Sequence, residues 1–522
     1  MTSTPRARRR EWIALAVLAL PTLLVTMDLS VLFLAVPELT RDLRPSSAAL
    51  LWITDIYGFV IAGSLITMGT LGDRLGRRRV LLGGGAMFAL ASLLAAFSTS
   101  PAMLIAARAL QGLAGATLAP SSLALIRNLF VDRDQRTLAI GVWMSCFAAG
   151  AALGPVVGGV LLEHFWWGSV FLVNVPVMAL LLAVGPWLLP ESRDPQPGRF
   201  DLPGAGLSVA AVLALIFGIK QIAEDGAGWP AALSIAAGLT AGAAFVHRQR
   251  VTAHPLIDLR LFRAPAFAAA LLAMLAAVFV VAGGDLFIAQ YLQLVRGMSP
   301  FEAGLWLLPT TIALIAGSLV APLLVRSIRA GSAVAGALAL AALGMVVLSR
   351  VDAGSGLPLL VTAMVLVGLG AGPVGTLGAD IVVGAAPPER AGVASGLSET
   401  GAELGGALGI ALLGSVGTAV YRAELREGAP IAIAQDAIEP ARDSLGGAAE
   451  AADSLPAAVA TELIEAAERA FVQGLQTAAA VGAAVMAVTA LVAVVLLRRQ
   501  TAASATAASA TAASATSTSK AP

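Results

Sequence analysis

Long apolar blocks follow one another along almost the whole chain, each 17 to 29 residues long and separated by short polar segments. About 17 to 25 apolar residues are enough for a helix to cross a hydrocarbon layer about 30 Å thick. Seven blocks fall near 12–35, 50–69, 80–98, 102–124, 137–161, 167–189 and 203–221. Seven more fall near 230–246, 266–290, 303–325, 331–348, 357–380, 392–420 and 471–497. The pattern predicts an all-α polytopic membrane protein with 14 transmembrane helices. The strands of a membrane barrel show short alternating patterns instead, so a barrel is a poor fit.

Composition agrees. Of the 522 residues 58% are hydrophobic and 12% charged, with a mean hydropathy of +0.86. A soluble domain carries about 25% charged residues. A single cysteine, Cys146, excludes an intramolecular disulfide and a cysteine-rich metal site, and three histidines supply a histidine site poorly.

Charge placement tests the count. With the N-terminus cytoplasmic, 23 of the 33 Lys and Arg fall in inside segments, 9 in outside segments (Lys220 among them) and Arg108 within a span. This is the positive-inside bias, and it predicts both termini cytoplasmic. The first apolar run follows Arg6, Arg8, Arg9 and Arg10 but carries Asp28 and leads straight into further spans, so it reads as a span and not a cleavable signal.

The blocks group as six, two and six. Residues 1–11 form a basic N-terminal segment and 12–189 a first six-helix bundle. Residues 190–265 form a linker region with two additional helices, and 266–497 a second six-helix bundle. The second bundle contains a long outside segment, 421–470, with ten acids against four arginines, read as a solvated loop, or as a lid or acidic vestibule, in which the run Pro456–Gln473 is able to form a helix. Residues 498–522 are a low-complexity Ala/Ser/Thr tail. Paired, related bundles are a common plan for secondary transporters.

Ionisable residues inside spans are expensive and mark function by default. Asp28 in the first span, Arg108 in the fourth, and Glu399 with Glu403 in the thirteenth are the leading candidates. A structural hydrogen-bonding role is the alternative for Asp28, and an anchor for Arg108. Glu399 and Glu403 are four apart and so share a helix face. Two carboxylates that close, away from bulk water, are suited to hold one proton between them and release it to an arriving cation. All four side chains are expected to line one water-accessible passage. Asp55 and Asp285, nearer span ends, are further candidates, and Asp380 is a weaker one. Trp52, Tyr57, Trp143, Trp306 and Phe301 offer aromatic faces to an organic cation, or are packing and interfacial residues.

Two glycine-rich stretches stand out. Residues 69–79 place Gly72, Asp73, Arg74, Gly76 and Arg77 in a short inside loop suited to a tight turn and close backbone approach. Residues 150–159 place Gly150, Gly154, Pro155, Gly158 and Gly159 on the fifth span, a seam for close packing of helices, whether sliding or static. Neither has the lysine or the strand–turn–helix setting of a phosphate-binding loop, so no nucleotide is expected to drive the protein.

Together these motifs resemble the major facilitator superfamily, specifically its fourteen-span drug:proton antiporters of the QacA/SmvA-like branch. The 69–79 loop resembles the superfamily's signature between its second and third spans, and the resemblance implies gating roles for Asp73, Arg74, Arg77 and Arg78. The stretch Leu104–Ala116 resembles the fourth-span motif, which implies proton coupling for Arg108. Residues 150–159 match the fifth-span motif of exporters. Met27–Pro37 resembles the first-span motif, with Ser30 and Phe33 where threonine and asparagine are usual. Pro387–Tyr421 resembles the thirteenth span of the cation-exporting branch. No acid lies inside the tenth span, where some relatives carry one.

The resemblance implies a proton-coupled exporter of quaternary ammonium compounds, cationic dyes and biguanide-type antiseptics. It would need no cofactor and no nucleic acid, sit as a monomer in the bacterial inner membrane, and make or break no bond. Export of an endogenous metabolite, lipid or peptide is the rival reading.

Overall fold

The computed structural model describes the chain except residues 1–5, 194–199, 226–227, 254, 355, 429–440, 442–443, 454 and 519–522. Among the described residues, 14 helices are long and apolar enough to cross a membrane. They are α1 (Arg9–Leu43), α2 (Ser47–Leu75), α3 (Arg77–Ala96), α4 (Pro101–Leu129) and α5 (Arg133–His164). Next come α6 (Ser169–Leu188), α7 (Leu202–Asp225), α8 (Trp229–Val251), α9 (Pro265–Gln290) and α10 (Pro300–Ser327). The last four are α11 (Ala330–Leu348), α12 (Leu357–Ala385), α13 (Pro388–Glu427) and α14 (Ala457–Thr518).

Polar residues in the short connections start several of these helices. Ser46, Ser100 and Asp132 accept hydrogen bonds from the backbone N–H three residues on, and Ser299 forms a capping box with Glu302. Between α2 and α3 the chain turns at Gly76, whose φ of 111° favours glycine. The side chain of Glu191 lies so close there that a Cβ would meet its Oε1 at 2.6 Å.

Helix α4 packs against α2 and α3, and α5 against α1, around a core that includes Tyr57, Phe88 and Trp143. On the other side α12 packs against α10 and α11, and α14 against α9, α11 and α13, around Val280, Leu338 and Met486. Helices α7 and α8 pair with each other, and α7 also packs on α2 and α13.

The glycines of α5 lie against α1. A Cβ at Gly150 would collide with Thr26 and the carbonyl of Leu23, one at Gly154 with Ser30, and one at Gly158 with Val31. Gly159 differs from its neighbours: it points to open space and takes no part in the seam. Helix α5 runs on unbroken through Pro155.

Two sequence readings need correction. Lys220 lies within α7, not in an outside segment, because the apolar run continues past residue 221 as helix to Asp225. The segment 421–470 is largely helical where described. Helix α13 extends to Glu427, a short helix covers Leu445–Ala452, and α14 starts at Ala457 instead of 471. Good helix formers carry α14 outward, and Leu463, Ala466, Ala467 and Ala470 bury one of its faces.

Candidate functional site

The site residues fall into three groups. The first lies at the end of the molecule that carries the 69–79 loop, here the basic end. Asp73 accepts the backbone N–H groups of Gly392 and Val393 at 3.0 Å, at the start of α13. A carboxylate there satisfies donors that a helix N-terminus leaves unpaired and lies at the positive end of its dipole. Asp73 also pairs with Arg77 at 2.8 Å, and Arg77 reaches the carbonyl of Pro388. Arg127 donates to the carbonyl of Pro387.

Across the same end, Arg136 pairs with Asp380 at 2.7 Å and Thr137 donates to the same carboxylate. Gly69 of α2 lies against the carbonyl of Gly392, and Gly141 of α5 against that of Ser318. These ties join the two bundles. The Arg74 guanidinium lies 5.4 Å from the Phe200 ring centre.

The second group is sealed. Arg108 pairs with Asp28, and Asn174 donates to the same carboxylate at 2.9 Å. Gln111 accepts from Arg108 and donates to Ser92. The guanidinium lies 4.3 Å from the Tyr57 ring centre and 5.7 Å from that of Phe171. Asp28 is 1% exposed and Arg108 0%. All of these residues come from α1, α2, α3, α4 and α6.

The third group is open. Glu399 is half-buried and Glu403 exposed, both on α13. Among the described residues neither makes an ion pair or a hydrogen bond. Each lies within electrostatic reach of the other or of a nearby charge: Glu403 acts on Glu399, and Lys220 on Glu403. Asp55 of α2 pairs with Lys220 at 2.6 Å.

The four leading residues therefore do not share one passage. Asp28 and Arg108 are walled inside the first bundle, where each charge faces the other and aromatic rings and amides enclose them, while Arg108 Nε and Nη2 and Asn174 Oδ1 are left without a hydrogen-bond partner among the described residues. Among the described residues Glu399 and Glu403 have no such partners, and protein does not seal them in. Asp285 belongs to neither set. It lines a separate cavity of about 10 Å³, room for one water. Thr310, whose buried hydroxyl has no partner, lines it too, with Met345 and Met364 among the apolar walls.

Of the aromatic candidates, Tyr57 and Trp143 are fully buried, Tyr57 bonded to the Val25 carbonyl and Trp143 to Ser122. Trp52 and Phe301 are exposed. Asn174, Lys220, Thr310 and Arg136, the partner of Asp380, escaped the sequence reading. A polar residue on the buried stripe of a span was the available signal for Asn174 and Lys220.

The profile of the Major Facilitator Superfamily matches residues 18–410. The multidrug efflux pump LfrA of Mycolicibacterium smegmatis is 44% identical over 95% of this chain and 98% of its own length. The methyl viologen resistance protein SmvA of Salmonella typhimurium is 35% identical over 89% of this chain and 93% of its own. The tetracenomycin C resistance and export protein of Streptomyces glaucescens is 36% identical over 93% and 91%. Among solved structures, that of the human organic anion transporter MFSD10 superposes with a TM-score of 0.61 at 16% identity, covering 92% of this chain and 100% of its own. That likeness concerns the fold.

Proposed function

The chain belongs to the Major Facilitator Superfamily, and on that premise we propose that it exports lipophilic organic cations from a bacterial cell in exchange for protons. It is a transporter and not an enzyme. It lies in the cytoplasmic membrane with the basic end and both termini inward, and it works as a monomer. Residues 12–189 and 266–497 are its two moving bundles, and 190–265 supplies the helix pair between them.

One observation carries the reading. Among the described residues the two acids of α13 have no bonded partner and are not sealed in by protein, while the basic end is tied shut. This arrangement fits the outward-facing half of an alternating-access cycle. In that state Glu399 and Glu403 take up a proton from outside and the cation leaves. The ties around Asp73 and Asp380 then break, the bundles rock, and the protonated pair faces inward. An entering cation displaces the proton, since two carboxylates close together are not both ionised cheaply until a positive charge joins them.

Asp28 and Arg108 hold the first bundle's polar network in register, and Gly72 and Gly76 let the 69–79 turn approach α4 and Glu191. The seam of Gly150, Gly154 and Gly158 keeps α5 against α1 through the motion. Exchange of one monocation for one proton moves no net charge and draws on the pH gradient alone. A second proton would add roughly 2.3 kcal/mol per 100 mV.

The test is efflux of ethidium from loaded vesicles under an imposed pH gradient. Export that follows the gradient and is competed by several unrelated cations supports the proposal. Export indifferent to the gradient removes proton coupling, and saturation by one neutral metabolite removes the cation assignment.

A further inference from the structure

Helix α7 lies outside both bundles yet brings a lysine to the acids. Chain spacing explains how. Val209, Leu213, Ile216 and Lys220 fall on one stripe of α7, three or four residues apart, and Asp55, Phe59, Ala62 and Ile66 fall on one stripe of α2. The two stripes pack together, with Val209 and Leu213 against Gly63 and with Val212 and Ile216 beside Phe59 and Ala62. Leu404 and Ala407 of α13 close the same apolar cluster from the third side. The helices α2, α7 and α13 thus form a cleft with a greasy floor, and Lys220 stands at the open end of the α7 stripe.

The surroundings of its ammonium are those of a bound organic cation. It is 2.6 Å from an Asp55 carboxylate oxygen and 5.0 Å from the centre of the Phe59 ring, and it lies within electrostatic reach of Glu403. Phe59 in turn meets Trp52 and Phe217 at ring separations of 6.3 and 6.4 Å. One carboxylate in contact, a second nearby and an aromatic face are what a lipophilic cation needs. The Lys220 side chain is 39% exposed and that of Asp55 22%, so protein leaves both within reach of an arriving competitor.

We propose that the α2–α7–α13 cleft is a binding site for organic cations that the protein fills with its own Lys220, and that this tethered charge biases the site toward monocations. This rests on the export reading above. Asp55 and the Glu399–Glu403 pair supply two negative charges while the pair holds its proton and three once it is released, against one positive charge on Lys220. An arriving monocation displaces the ammonium from Asp55 and Phe59. A dication must also accept the nearby ammonium as a neighbour, a repulsion that doubles with its charge. The helix pair that separates this chain from a simple six-plus-six plan thereby takes part in selectivity.

The experiment compares ethidium, a monocation, with methyl viologen, a dication, in the same vesicle assay for wild type, Lys220→Gln and Lys220→Arg. For Lys220→Gln the apparent KM for methyl viologen falls on the order of tenfold relative to that for ethidium. Lys220→Arg, which keeps the charge, retains the wild-type ratio. Binding of both cations to purified, detergent-solubilised protein, followed by tryptophan fluorescence, gives the same ratio without transport and applies even if a variant moves nothing. A folded Lys220→Gln protein with the wild-type ratio in both assays overturns the proposal. A wild type that transports neither cation overturns the export reading instead, while the binding ratio still decides the role of Lys220.

Discussion

Asp28 and Glu403 are both carboxylates in long apolar helices, and the structure treats them in opposite ways. Around Asp28 the first bundle has assembled a guanidinium, an amide and two aromatic rings, and the group is 1% exposed. Around Glu403 there is no bonded partner among the described residues, and protein does not enclose the side chain. A charge whose partners are built in is fixed in its state, because removing one partner strands the other in a dry site. A charge without built-in partners is available to whatever arrives. Both acids read alike in the sequence as costly groups in a span, yet in the proposed cycle it is the second kind that exchanges a proton for a cation.

The comparison is most exposed to attack at Arg108. Arg108→Ala leaves Asp28 buried and unpaired, with an expected loss of about 3–5 kcal/mol, seen as a large fall in thermal unfolding temperature and in yield. Replacing both partners with apolar residues, Arg108→Met with Asp28→Leu, recovers most of that loss. Smaller is the effect of Gly154→Val, which pushes against Ser30 and the carbonyl of Met27 on either side of Asp28. A cost of about 1–3 kcal/mol is expected, with faster hydrogen exchange in α1.

Asp380→Asn leaves the fold intact but removes the charge-assisted bond to Arg136, worth about 1.5–3 kcal/mol to the closed basic end. Labelling of a cysteine placed at Ser318, with Cys146 replaced by serine, should increase from the basic-end side. Least of all is the stability change in Glu403→Gln, within about 0.5 kcal/mol because the side chain is exposed and unbonded. That variant unfolds like wild type and loses proton-coupled efflux. A Glu403→Gln protein as damaged as Arg108→Ala would erase the distinction between the two acids.

Much of this was legible in the chain. The 14 spans follow from block length, since a helix must satisfy its own backbone in lipid, and their basic loops follow from the bias of Arg placement. Asp73 and the α5 glycines were marked as close-contact residues, and the structure shows the neighbours of all of them but Gly159, which meets none. The division of the intramembrane charges was not legible, because whether Asp28 is dry depends on Asn174, 146 residues away, and on Tyr57 and Phe171 closing over Arg108. The place of Lys220 was hidden for a simpler reason. It falls at the fraying end of an apolar run, where a boundary error of a few residues moves it from helix to loop. The start of α14 lies 14 residues before the hydrophobic core of its span, in the Ala- and Glu-rich run from Pro456 that the sequence marked as able to be helical but hydropathy alone did not join to the span.

Proton release on binding measures the central claim directly. Tetraphenylphosphonium is added to purified protein in lightly buffered solution and the change in proton concentration is followed. Wild type is expected to release protons as the cation saturates, folded Asp28→Asn to release as many, and the Glu399→Gln, Glu403→Gln double variant to bind more weakly and release none. Undiminished release from the double variant, or release abolished by Asp28→Asn alone in a folded protein, would place the exchangeable proton in the sealed network and contradict the account.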